Sequence, residues 1–109
     1  MNKKIIFFGT LRSKKILKNV IGREVTSLQF TKCFIQSVKL KNIKNENYPG
    51  LYHTNNKSNI VEAVLVENLN KNDLKRIKFF ESYEYVLDTI GVIIDGKKNI
   101  VNYFRPIIK

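Results

Sequence analysis

Apolar and polar positions alternate in short blocks along the chain. Ile5-Ile6-Phe7-Phe8 is an apolar run between two lysines and Gly9, which predicts a buried strand over Lys3 to Phe8. Gly9-Thr10-Leu11 reads as a turn. The spacing of Leu11, Ile16, Leu17 and Val20 then predicts a helix from Arg12 to Val20, closed by Gly22. From Glu24 to Ile43 the pattern is extended, with Phe34-Ile35 in a central strand. Asn42 to Asn59 is polar apart from Tyr48 to Tyr52 and predicts a long loop turning at Pro49-Gly50. Such a loop in a compact domain is functional or mobile. Ile60 to Val66 predicts a further buried strand. Leu69-Asn70 opens the clearest helix, with Asn70 as N-cap, Asp73 at its third position and a Leu69–Leu74 staple across the cap. Leu74, Ile77 and Phe80 form its apolar face, with Phe79 at the margin. Tyr85 to Ile94, the turn Asp95-Gly96 and Ile100 to Phe104 read as a hairpin.

Strand, turn, helix, several strands, helix and hairpin is not the alternating series of a doubly wound fold. It predicts an α+β domain: a small mixed, strongly curved, barrel-like sheet with two main helices. With 109 residues and 43% hydrophobic content, one domain over residues 1–109 is expected, able to bury one modest core. The opening apolar run stops after four residues, short of the roughly 7–15 of a secretory signal. No stretch reaches the ~18 apolar residues of a membrane span. Cys33 is the one cysteine, so no disulfide within the chain is possible, which agrees with a reducing, cytoplasmic compartment.

The formal net charge of +11 raises a nucleic-acid partner. Two features weigh against it. Only Arg12, Arg23, Arg76 and Arg105 are arginine, the residue suited to bidentate phosphate and base contacts. The lysines are also spread over every segment, as in a solvated coat. Lys14, Lys15 and Lys18 make one basic helix face.

Candidate chemistry lies in two places. A strand ending at Phe8-Gly9-Thr10-Leu11 and feeding a helix leaves backbone N–H groups free for a carboxylate or phosphate. Gly9 admits close approach and Thr10 offers a hydroxyl. The required glycines and lysine of a phosphate loop or dinucleotide fingerprint are absent. The second place is Glu81, at the end of the second helix within Phe79-Phe80-Glu81-Ser82-Tyr83. There the negative end of the helix dipole and aromatic neighbours disfavour the ionised form, as a general acid or base near neutrality requires. An exposed helix-end glutamate is the alternative.

Phe8-Gly9-Thr10-Leu11-Arg12 resembles the Tyr-Gly-Ser/Thr-Leu-Arg opening of the γ-glutamylcyclotransferase-like family, which includes AIG2-like proteins and γ-glutamylamine cyclotransferases. Tyr48-Pro49-Gly50-Leu51 is similar to its Tyr-Pro-Gly loop. Leu74, Ile77, Phe80, Glu81 and Tyr85 match its Leu-x-x-Leu-Asp-x-Phe-Glu-Gly-x-x-Tyr segment, and Tyr103-Phe104 its closing strand. The chain departs from the pattern at Phe8, where the family has tyrosine, at Lys78 for aspartate, at Ser82 for glycine and at Leu87 for arginine. The resemblance implies a curved sheet around a pocket and cyclisation of a small γ-glutamyl substrate to 5-oxoproline. Glu81 would be the catalytic acid/base, and Phe8, Gly9, Thr10, Leu11, Tyr48, Pro49, Gly50 and Tyr85 would bind substrate. No metal or cofactor is implied, because nucleophile and electrophile share one molecule.

The remaining reactive residues have plainer readings. His53 has no partner at ligand spacing, and Cys33 reads as a buried structural thiol. Glu62 and Glu67 read as solvent-facing, with a pocket-facing Glu62 left open. Tyr83 and Tyr85 suit either pocket wall or core. The alternatives to an enzyme are a non-catalytic relative that binds a small ligand and a lysine-rich nucleic-acid-binding module.

Overall fold

The computed structural model describes residues 3–42, 49–81 and 85–106. In chain order they form β1 (Lys3–Phe7), a 3₁₀ turn (Thr10–Arg12), α1 (Lys14–Ile21), β2 (Gln29–Gln36), β3 (Val38–Asn42), β4 (Pro49–His53), β5 (Ile60–Leu69), α2 (Lys71–Glu81), β6 (Tyr85–Ile94) and β7 (Lys97–Pro106). Strands β1, β5, β2, β6 and β7 close in that order into a barrel. At the seam β1 runs parallel to β7, with Ile5 opposite Asn102. The mixed, barrel-like sheet and the two helices expected from the pattern are therefore present. No helix among the described residues is long and apolar enough to cross a membrane.

Strand alternation sorts the apolar side chains into two layers. Ile6, Cys33, Ile35, Ala63, Leu65, Val92, Val101 and Tyr103 fill the barrel. Ile5, Phe7, Val66, Leu69 and Phe104 face the other way and meet Leu17 and Ile21 of α1 and Ile77 of α2. A bulge sustains this division at the end of β5. Lys3 pairs with Leu69 but Ile5 with Val66, so one extra residue is accommodated around Asn68, which sits at φ 75°. The extra residue returns Leu69 to the helix-facing side beside Val66.

Both helices are capped by their own sequence. Asn70 Oδ1 accepts from the Asp73 N–H at 2.8 Å, and Asp73 Oδ2 accepts from the Asn70 N–H at 3.0 Å. This is a reciprocal cap, and Leu69 and Leu74 both pack into the helix-facing core behind it. Phe79 is 88% exposed and Phe80 45%, so neither joins the buried face of α2, which rests on Leu74 and Ile77. On α1 the expected start was two residues early. Ser13 is the N-cap and its Oγ accepts from the Ile16 N–H at 3.4 Å, while Arg12 belongs to the preceding 3₁₀ turn. Gly22 ends α1 at φ 71°, its N–H bonded to the Lys18 carbonyl. An alanine there enters a left-handed conformation with its Cβ 3.3 Å from Arg76 Nη1. Gly22→Ala is expected to lower stability by about 1 kcal/mol, read from the urea unfolding midpoint.

The expected loop from Asn42 to Asn59 is overturned in part. Pro49 and Gly50 are not a turn but the first residues of β4, opposite Asn42 and Lys41. Val38 and Leu40 of β3 face His53 and Leu51 of β4 in a separate two-stranded arm. Proline is tolerated there as the first residue of a strand. Ser37 N–H to the Asn59 carbonyl at 2.8 Å and Thr54 N–H to the Ser37 carbonyl at 2.7 Å tie the arm to the head of β5.

Candidate active site

The chain leaves β1 at Phe7 and turns sharply, because the Gly9 carbonyl accepts both the Arg12 backbone N–H at 3.2 Å and Arg12 Nε at 3.3 Å. Since α1 begins only after Ser13, Gly9-Thr10-Leu11 is not the helix N-terminus that the sequence reading made it. The orphan donors of α1 lie a turn further on, under the Ser13 cap. Leu11 is buried in the helix-facing core, so what it can present to a ligand is backbone.

A cavity of about 500 Å³ opens beside Gly9, within the range of small-molecule sites. Arg12, Ser13 and Ile16 border it on one side. Across from them stand Lys32 and Phe34 of β2 and Glu62 and Val64 of β5, with Cys33 and Ala63 beneath. Cys33 borders it by backbone, its side chain lying inside the barrel, where burial pushes the thiol pKa up despite a backbone hydrogen bond from Leu65 and leaves it unreactive. A second hollow of about 590 Å³ shares Arg12 and Glu62 and is bordered by Phe8, Val38 and Leu40. Phe8 and Gly9 thus open on adjoining hollows, with Arg12 and Glu62 between them. Glu62, left open by the sequence, faces both.

Glu81 is the last residue of α2, as the sequence reading expected. Register sets which end of the barrel that is. Leu69, just before α2, pairs with Lys3 at the start of β1. Tyr85, four residues after Glu81, pairs with Pro106 at the end of β7. Strand β7 runs parallel to β1 through Ile5 and Asn102, so Pro106 lies at the end where β1 gives way to Gly9. Helix α2, 11 residues long and advancing about 16 Å, returns the chain from one end of the barrel to the other. The backbones of Gly9 to Leu11, Glu81 and Tyr85 therefore gather at one end. Pro49 and Gly50 lie instead on the β3–β4 arm. Tyr48, Ser82 and Tyr83 fall outside the described residues.

Sequence reasoning missed Lys32 and underweighted Arg12. The available signal was phase: Lys32 and Glu62 are charged residues inside strands whose neighbours Cys33, Ile35, Val61 and Ala63 are buried, which puts both on the opposite, solvent-side face. His53 ends β4 in an exposed position, and Glu67 pairs with Lys4 at 3.2 Å.

A family model described as gamma-glutamyl cyclotransferase, AIG2-like matches residues 5–106. The chain belongs to that family. Its fold is shared with a protein of Arabidopsis thaliana solved in solution, at a TM-score of 0.74 and 13% identity, over 97% of this chain and 62% of that one. A gamma-glutamyl cyclotransferase superimposes with a TM-score of 0.69 at 16% identity, over 98% of this chain and 68% of the other. An AIG2-like protein from Mus musculus gives 0.67 at 18%, over 95% and 76%. The chain thus spans less than two thirds of the Arabidopsis protein's length, and at these identities the likeness is one of fold. No curated protein matches the sequence.

Proposed function

We propose that the chain is a γ-glutamylamine or γ-glutamyl-amino-acid cyclotransferase that releases 5-oxoproline, with Glu81 as general acid/base. Phe8, Gly9, Thr10, Leu11, Tyr48, Pro49, Gly50 and Tyr85 are the proposed substrate contacts. The observation that carries the reading is the convergence of the Gly9–Leu11 turn and the Glu81 end of α2 at one end of the barrel. Family membership over residues 5–106 supports the same chemistry.

In the reaction, the α-nitrogen of the γ-glutamyl group attacks its own γ-carbonyl carbon. A ring C–N bond forms and the amide C–N bond to the departing amine breaks. Two protons leave the attacking nitrogen and two reach the departing one, so no water is consumed. The protein's task is to hold a ring-closing conformer and to relay protons. In this reading Glu81 takes the proton that frees the attacking lone pair and returns one to the departing nitrogen. The reading has no need of a nucleic-acid surface for its arginines. Arg12 donates to the Gly9 carbonyl, Arg23 to Asp73 and Arg105 to Asp88.

The test is release of 5-oxoproline from a panel of γ-glutamyl amines and γ-glutamyl amino acids, with Glu81→Gln as the paired control. Turnover in the parent and its loss in the variant supports the reading. No turnover across the panel returns the chain to the non-catalytic, ligand-binding alternative.

A further inference from the structure

We propose that the outward face of α2 docks the protein on a membrane surface rich in anionic lipid, with Phe79 inserted and Lys71, Lys75 and Lys78 meeting the headgroups. Docking of this kind is independent of the cyclotransferase reading, since none of these residues belongs to the candidate site. Helix phase defines the face. Ile77, on the core side of α2, is fully buried, and Phe79 lies about 200° further round the helix. It therefore points outward and stands almost wholly exposed. Lys75 and Arg76 come one turn before it on the same face, and Lys71 and Lys78 lie along one flank. On the other flank Arg76 stands by Gly22, the cap of α1. There Phe80 and Val20 border an open hollow of about 620 Å³ that also takes in Lys75, Arg76 and Phe79.

A single exposed apolar side chain is ordinary. Here the exposed ring is set among unpaired cations. The ion pairs among the described residues use Lys4, Lys18, Arg23 and Arg105, so Lys71, Lys75, Arg76 and Lys78 enter none. Asp73 does not offset them, because it is buried and held by Arg23. Charge complementarity then selects the occupant. A second copy of the chain would set like charges against each other, on bodies that each carry a formal net charge of +11. A nucleic-acid duplex answers the lysines but gives Phe79 no apolar phase to enter. A bilayer with anionic headgroups offers negative charge and, about 5–10 Å deeper, an apolar phase. Lysine suits that boundary, because its stem lies along the apolar side while the ammonium stays among the headgroups.

The chain has no tryptophan, so Phe79→Trp gives a single reporter at an exposed position. The probe is vesicles of phosphatidylcholine and phosphatidylglycerol in equal parts, against vesicles of phosphatidylcholine alone. Binding should require phosphatidylglycerol, weaken with added salt and move the tryptophan emission to shorter wavelength. Phe79→Ala should weaken binding by about tenfold. Lys71→Gln combined with Lys75→Gln should weaken it by about thirtyfold. Lys39 of the β3–β4 arm and Lys57 just before β5 are exposed at the far end of β5 from α2. Lys39→Gln combined with Lys57→Gln should cost less than about twofold, since charges that distant from the contact are screened. Equal losses in the two lysine pairs would make the contact a diffuse coat. Binding that left the tryptophan emission unmoved would make it electrostatic without insertion. Binding to a thymidine oligonucleotide in place of the vesicles would give the face to single-stranded nucleic acid, whose bases stack on aromatic rings. Each of these results overturns the proposal, as does failure to bind the mixed vesicles at all.

Discussion

Glu81→Gln is expected to lower kcat for 5-oxoproline release by about a thousandfold, the middle of the range for removing a general acid/base. KM should move little, because glutamine keeps the shape and the hydrogen-bonding reach of the side chain while losing its ability to exchange a proton. The urea midpoint should also stay near that of the parent. Glu81 is the last residue of α2, where the N-cap and the buried Ile77 already anchor the helix from within, and an isosteric change at a helix end costs little. The informative contrast is with Glu62→Gln. Glu62 is the carboxylate among the described residues that borders both hollows, whereas the proposal gives the chemical step to Glu81. A large kcat loss in Glu81→Gln, with kcat in Glu62→Gln staying near that of the parent, supports the proposed role of Glu81. If kcat collapsed only in Glu62→Gln, the proton relay would belong to the cavity wall and the assignment of Glu81 would be wrong.

What could be read from sequence follows the range of the forces involved. Helix α2 was legible because its signals are local. Asn70, Asp73, Leu69 and Leu74 meet within one turn, and no distant contact is needed to recognise them. The β6–β7 hairpin was legible for the same reason: Asp95 and Gly96 take positive φ values of 50° and 78°, as a two-residue turn of this kind requires. The β4 strand was not, because Pro49 and Gly50 are turn residues by propensity and become strand only through pairing with Lys41 and Asn42. The start of α1 was misread because Leu11 has a helix-like apolar phase yet reaches the core from the 3₁₀ turn before the Ser13 cap. Of the cavity, motif resemblance reached Gly9, which borders it, but Lys32 and Glu62 come together only once β2 and β5 are in register. Neither residue carries a local mark that tells a cavity wall from a solvated face.

Asp73→Ala should be the most damaging substitution outside the apolar core, lowering stability by about 3 kcal/mol. Asp73 is 2% exposed, and both its oxygens are used by Arg23, from Nε at 2.9 Å and from Nη2 at 2.6 Å. The same carboxylate accepts from the Asn70 N–H at the start of α2. One side chain therefore joins the segment after α1 to the first turn of α2. Alanine removes the cap and leaves the Arg23 guanidinium without its anion, although that group is one-third exposed (34%). Water can take up part of its charge, which places the cost at the lower end for a broken buried pair. Against the roughly 5–15 kcal/mol of a typical domain, the loss is large enough to read directly from urea unfolding.

The pH dependence isolates the electrostatic share. Burial opposes ionisation of Asp73, but the hydrogen bonds from Arg23 and the Asn70 N–H, with the positive charges of Arg23 and Arg76, outweigh it and hold the carboxyl below its ordinary value. Between the folded value and the unfolded value near about 4, the unfolded chain binds more protons than the folded one. The contribution of Asp73 is therefore complete above that unfolded value and is lost as pH falls through the folded one. Asp73→Asn keeps an acceptor for the cap and discards the charge. The stability gap between parent and Asp73→Asn should be constant from neutrality down to about pH 5 and should narrow below about pH 4. A gap that held its size into acid would show that Asp73 stabilises α2 by shape and neutral hydrogen bonds, with the Arg23 pair contributing nothing.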